Sequence, residues 1–127
     1  MLQGGKEGIE LGKGFAVGGF ECKYNIITSN MDEIEFDWDE LKAITNERKH
    51  GVSFEEAQTV FYDEAARLSY DPNHSQTEDR YLILGMSDLL RLLVVCHSYQ
   101  PPNELIRIIS ARQATKQERQ QYQEFLR

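Results

Sequence analysis

The sequence predicts one α+β domain: two N-terminal helices, an antiparallel sheet of three to four strands, and a C-terminal helix. Three observations carry this prediction. Asp39 before Glu40, and Ser53 with Glu56, are helix-start signatures followed by segments that run to Gly51 and to about Phe61. Three apolar stretches, 80–86, 91–97 and 105–112, then follow one another across short turns, as in a meander. Finally, Thr115 and Glu118 are spaced as a capping box that opens the last segment.

Taken in order, Ile34 to Trp38 alternates apolar and acidic residues, the pattern of a short half-exposed strand. Asp39 caps a helix from Glu40 to about His50, and Gly51 is placed to end it in a left-handed conformation. Lys42, Asn46 and Lys49 share one face of that helix, as either a solvated stripe or a polar stripe facing a ligand. In the second helix Phe54, Ala57 and Phe61 recur at i, i+3 and i+7, which is a core-facing stripe. Ala65 to Tyr70 forms a further strand, Asp71-Pro72-Asn73 a turn, and 73–79 a polar loop. The run Arg91 to His97 is nearly continuous in apolar residues and reads as a central strand. Pro101-Pro102-Asn103 makes the next turn, and Lys116 to Leu126 closes the chain as a helix with Glu118, Tyr122 and Phe125 on one face.

Composition narrows the function. At 127 residues the chain is the size of one domain, and its net charge of −7 argues against a general nucleic-acid surface. The charge is uneven, however. Residues 31–79 hold four basic and fourteen acidic residues, and residues 80–127 hold seven and four. An acidic half beside a basic half fits a local site for an anionic ligand. Cys22 and Cys96 alone make no disulfide framework, which points to a reduced cytoplasmic setting. No apolar run approaches the roughly 20 residues of a membrane span.

Residues 1–30 read differently. They hold seven of the nine glycines and no sustained period. Gly12-Lys13-Gly14 superficially suggests a phosphate loop, but no strand precedes it and no helix pattern follows. This segment is expected to be a disordered extension or sequence upstream of the true start, with Met31 as the candidate start.

Three blocks of the chain together resemble a known family. IRIISAR (106–112) followed by Ala114-Thr115, Glu118-Arg119 and Tyr122 looks like the C-terminal signature of the BrnT family, ribonuclease toxins of bacterial type II toxin–antitoxin pairs. Phe36-Asp37-Trp38-Asp39-Glu40 with Lys42, Asn46, Lys49-His50-Gly51 and Ser53 to Ala57 is similar to the family's N-terminal block. Asp79-Arg80 with Gly85, and Arg91 to Val95, resemble its middle strands. The resemblance covers about residues 34–122 and makes 31–127 the toxin-like domain. It implies a RelE-like fold and RNA cleavage without a metal or other cofactor. It also implies a cognate antitoxin whose own DNA-binding domain represses the shared operon. Operator DNA is then contacted only through that partner, and no membrane is involved.

Such chemistry asks little of a protein. The 2′-hydroxyl attacks its own phosphorus, so the enzyme holds an in-line geometry, stabilises charge on the non-bridging oxygens and moves two protons. Arginine suits the middle task, because its planar fork presents paired donors to phosphate and stays charged. Arg80 and Arg107 are the leading candidates, each on a strand otherwise built of apolar residues. Such a side chain must reach the surface, pair with an acid or face a ligand. Arg112 is weaker. In an unbroken strand 107 and 112 point to opposite faces, and both serve one site only if the strand bends near Ser110-Ala111. Among proton movers His50 ranks first, inside the family-like Lys-His-Gly, although helix capping also accounts for it. His97 shares strand parity with Leu93 and Val95 and reads equally as a core histidine. His74 falls in the polar loop, and Glu78 is either a base or Arg80's partner. Lys42 joins the candidates through the polar stripe and the family's lysine at that place.

Metal binding and a cysteine nucleophile are poorly supported. The histidines are far apart, and Cys96 lies in an apolar run. One departure matters: Gln100 stands where several relatives carry arginine. The rival reading is therefore a non-catalytic interaction domain that acts with its antitoxin in operon repression.

Overall fold

The computed structural model describes residues 21–22, 34–71, 79–100 and 105–126. The glycine-rich extension apart from 21–22, the Asp71-Pro72-Asn73 turn beyond Asp71, His74, Glu78 and the Pro101-Pro102-Asn103 turn lie outside the described residues.

Helix α1 (Glu40–His50) begins where expected, because the Asp39 carboxylate accepts from the Leu41 and Lys42 amides at 2.8 and 3.3 Å. It ends at Gly51, whose φ of 71° is cheap only for glycine, with Arg48, Lys49 and His50 in its last turn against the negative end of the dipole. Helix α2 (Phe54–Thr59) is capped by Ser53 and tightens into a 3-10 turn at Val60–Tyr62. Its expected capping box is only half made. The Ser53 hydroxyl accepts from the Glu56 amide, but the Glu56 carboxylate turns instead to Arg91 and Ser87. A half-buried ion pair that joins the helix to the start of a strand outcompetes a local cap.

The strands are β1 (Glu21–Cys22), β2 (Glu35–Asp37), β3 (Arg67–Tyr70), β4 (Tyr81–Met86), β5 (Leu92–Gln100) and β6 (Leu105–Gln113), followed by α3 (Lys116–Phe125). They form one six-stranded sheet in the order β1-β3-β4-β5-β6-β2. The expected purely antiparallel sheet of three to four strands is thus corrected to a larger, mixed one. β2 precedes both helices and runs parallel beside β6, with Asp37 opposite Arg107. A parallel pairing needs a long crossover, which no local turn signal announces. The α+β class, the β4-β5-β6 meander and the C-terminal helix stand as expected.

Each face of the sheet buries its own cluster. α1, α2 and the 3-10 turn cover one face, where Phe54, Ala57, Val60 and Phe61 meet Ile83, Leu93, Val95, Ile106 and Ile108. α3 covers part of the other, where Tyr122 and Phe125 pack on Leu84, Leu92 and Val94. α3 itself opens on a complete capping box between Thr115 and Glu118. Asp63 ties the layers together, since its Oδ2 accepts from the Tyr122 hydroxyl at 2.6 Å and the Met86 amide at 2.8 Å. Burial and this contact push the Tyr122 pKa up.

Candidate active site

Register decides which candidates can meet. In an antiparallel pair, directly opposed residues share a face. Arg107 pairs with Ser98, and Arg112 pairs with Val94, so both arginines project from the face on which α3 lies. A β-bulge makes this possible: Cys96 pairs with Ser110 but His97 with Ile108, which leaves Ile109 as an extra residue in β6. The bend that a shared site required therefore exists one residue before its expected place. Tyr81 pairs with His97, so Arg80, one step further, falls level with Ser98. Arg80, Ser98, Arg107 and Asp37 form a polar row across four strands, beyond the part of the face that α3 covers. With strands ~4.8 Å apart, the Arg80 and Arg107 backbones stand about 10 Å from one another, within reach of two arginines converging on one phosphate.

The arginines differ in their present engagement. Arg107 pairs with Asp37 at 2.9 Å, both side chains being about two-fifths exposed (43% and 38%), so the pair is solvated and exchangeable. Arg112 instead makes a two-pronged contact with Glu118 at 2.9 and 3.0 Å, and the same carboxylate caps α3 through the Thr115 amide. The Glu118 carboxylate raises the Arg112 pKa, and Arg112 in turn helps to hold Glu118 below the usual carboxylate range against the opposing effect of burial. Arg112 also sits four β5 residues from Arg107 in register, about 13 Å along the strand. It flanks the row and anchors α3. Arg80 is half-buried, and its carbonyl accepts from the Asp71 amide at 2.9 Å.

Lys42 and His50 lie elsewhere, on α1, but they are not remote. They line a groove between α1 and the β6 bulge, joined by Lys49 from the helix and by Ile109 and Ser110 from the strand. Ser110 lies on β6 between Arg107 and Arg112, so the groove adjoins the arginine face around the edge of that strand beyond its pairing with β2. Asn46 belongs to a different class from its neighbours on the stripe. It is buried, its side chain bonds both the N–H and the C=O of Ala111 (3.0 and 2.8 Å), and it donates to the Val52 carbonyl. It pins α1 to the edge of β6 and is not available to a ligand.

His97 is a core residue. It is fully buried, its Nδ1 lies 3.1 Å from the Val95 carbonyl, and its ring meets Phe61 edge-on at 4.8 Å on the helical face. Burial lowers its pKa to about 4. Sequence reasoning missed Ser98 and the role of Ser110 as a groove residue, and it held a bend near Ser110-Ala111 only as a condition. Ser98 could have been found from the register, since its hydroxyl falls in a strand between two arginines. Its Oγ is buried and makes no hydrogen bond among the described residues. The bulge leaves no mark in composition. Among the described residues, no three of His, Cys, Asp and Glu gather as metal ligands, and no helix is long and apolar enough to cross a membrane.

No curated protein matches the chain. Among solved structures, the Brucella abortus ribonuclease toxin BrnT is similar, at 25% identity over 65% of this chain and 99% of that one, with a TM-score of 0.49. The model of the ribonuclease toxin BrnT, of type II toxin–antitoxin systems, matches residues 38–118. That match takes in α1, its groove, Arg80, Arg107, Arg112 and the capping box of α3, and it spans well over half of the 127 residues: the chain belongs to the BrnT family of ribonuclease toxins.

Proposed function

We propose that this protein is an endoribonuclease that cleaves RNA without a metal ion and so halts translation and growth in the cytoplasm. The observation that carries the reading is the Arg80–Ser98–Arg107 row, which puts two arginines on one stretch of sheet face beside a cationic groove. The scissile phosphate sits on that row. Arg107 exchanges its partner Asp37 for a non-bridging oxygen, and Arg80 donates from the other side. His50 takes the proton from the 2′-hydroxyl, Lys42 supplies positive charge at the groove, and Arg112 borders the phosphate track. The 2′-oxygen forms its bond to phosphorus as the bond to the 5′-oxygen breaks, and the departing 5′-oxygen takes a proton from solvent water. The products are then a 2′,3′-cyclic phosphate and a 5′-hydroxyl. A RelE-like arrangement, a cognate antitoxin with a DNA-binding domain, and contact with operator DNA only through that antitoxin complete the reading. Family membership supports it.

A second reading is favoured by one observation: Arg107 and Arg112 both meet carboxylates within the chain. In it the domain is a catalytically weak partner of its antitoxin in operon repression. End-group analysis separates the two. The full chain, incubated with RNA in EDTA, is expected to leave cyclic phosphate and 5′-hydroxyl ends. Intact RNA, from free and ribosome-bound message alike, would favour the interaction domain.

A further inference from the structure

The groove between α1 and β6 contains features that phosphate chemistry does not use. Its walls are apolar at Leu41, which is 75% exposed, and at Ile109. The hydroxyl-bearing residues Thr45 and Ser110 also line it, one from each bank. Two devices fix the position of those banks. The Asn46 carboxamide fixes α1 against Ala111, and the bulge removes Ile109 from pairing with β5. The bulge interrupts the ladder, and bulges recur beside active sites. At the rim stand Lys42 and Lys49, with His50 beside them, and among the described residues no carboxylate lines the groove, in a chain whose net charge is −7.

A slot with apolar walls, hydroxyls on both sides and a cationic rim has the chemistry of one ligand class. An unpaired nucleobase is flat and apolar on its faces, hydrogen-bonds along its edge, and carries a phosphate at the end of its sugar. An apolar protein side chain would satisfy the walls but not the rim. Position agrees. Ser110 is two pairing steps from Arg107 on the same face of β6, about 7 Å away, which is the scale of one nucleotide.

We propose that this groove is a nucleobase subsite for the nucleotide adjoining the phosphate on the Arg80–Arg107 row, and that Thr45 and Ser110 read the base edge. It rests on the ribonuclease reading for the choice of RNA as ligand. The hydroxyls make the subsite selective among bases. One such hydrogen bond corresponds to a two- to tenfold preference, roughly, because an unmatched base leaves it unmade.

The test titrates the full chain with the four ribonucleoside 3′-monophosphates, and separately with inorganic phosphate, while the Thr45 and Ile109 methyl resonances are followed by NMR. The expected result is saturable shifts with nucleotides and none with phosphate, with unequal Kd values across the four bases. Thr45→Val is expected to narrow that spread by about two- to tenfold, the worth of one hydrogen bond, with the other methyl resonances unmoved. Equal shifts with phosphate alone would overturn the subsite. So would equal affinity for all four bases, unchanged in Thr45→Val. No nucleotide shifts in a protein that still cleaves RNA would sink the subsite and leave the ribonuclease reading standing. Saturable, base-selective shifts in a protein that cleaves no RNA would do the reverse.

Discussion

Asn46 is the buried residue of α1, and its carboxamide pairs with both backbone groups of Ala111 while donating to the Val52 carbonyl. Asn46→Ala would strand those buried groups at about 1–3 kcal/mol each, so we expect a loss of about 3 kcal/mol in urea unfolding. A loss under about 1 kcal/mol would mean that water replaces the amide. The i, i+4, i+7 spacing correctly placed Asn46 beside Lys42 and Lys49. It could not tell that the middle residue turns inward, because a carboxamide that satisfies a strand edge looks the same in sequence as one facing solvent. Gly85 is a second such position. A Cβ there would stand 2.9 Å from both Ala66 Cβ and Val60 Cγ1, where the 3-10 turn and the lead into β3 press on the sheet. Gly85→Ala is therefore expected to destabilise by about 1–3 kcal/mol in the same assay, and a neutral result would contradict the close packing.

At the scale of elements, local chemistry was legible and distant pairing was not. The caps at Asp39, Ser53 and Thr115 all form, because each needs only residues within one helical turn. Thr115→Ala is expected to cost about 1 kcal/mol, read as a lowered unfolding midpoint with faster amide exchange confined to α3. Uniform exchange across the sheet would show that the cap does more than hold its helix. The parallel β2–β6 pair and the presence of a bulge at Ile109, which the sequence left as a condition, escaped a firm reading for a shared reason. Both are facts of register, set by packing between segments far apart in the chain, and one extra residue in a strand changes no composition. The bulge is what places Arg112 on the same face as Arg107, so the least legible feature decides the geometry of the candidate site. The residues themselves were recognisable as arginines out of place on apolar strands.

For the whole molecule, the sheet divides the work. Its helical face is a core against which His97 is buried, in contact with Phe61, with burial lowering the His97 pKa to about 4. The unfolded chain takes up that proton first on acidification, so the contribution of His97 is complete above about pH 6.5 and lost by about pH 4. The difference amounts to about 3 kcal/mol. Glu56, held low mainly by Arg91, adds a loss of the same sign as pH falls through the carboxylate range. Urea midpoints measured against pH should fall across this window and flatten above about pH 4 in His97→Phe. An unchanged slope would place the titrating group elsewhere. The opposite face carries the arginine row beyond α3, and its candidate chemistry is separable from stability. The Arg107–Asp37 pair is exposed enough to contribute at most about 1 kcal/mol, so Arg107 can be removed from a folded protein. The most direct measurement is therefore the single-turnover rate of RNA cleavage in EDTA by Arg107→Ala beside the parent, with unfolding midpoints checked for both. The row predicts a rate lower by about 100- to 1000-fold at nearly unchanged stability. Equal rates from two folded proteins would contradict it.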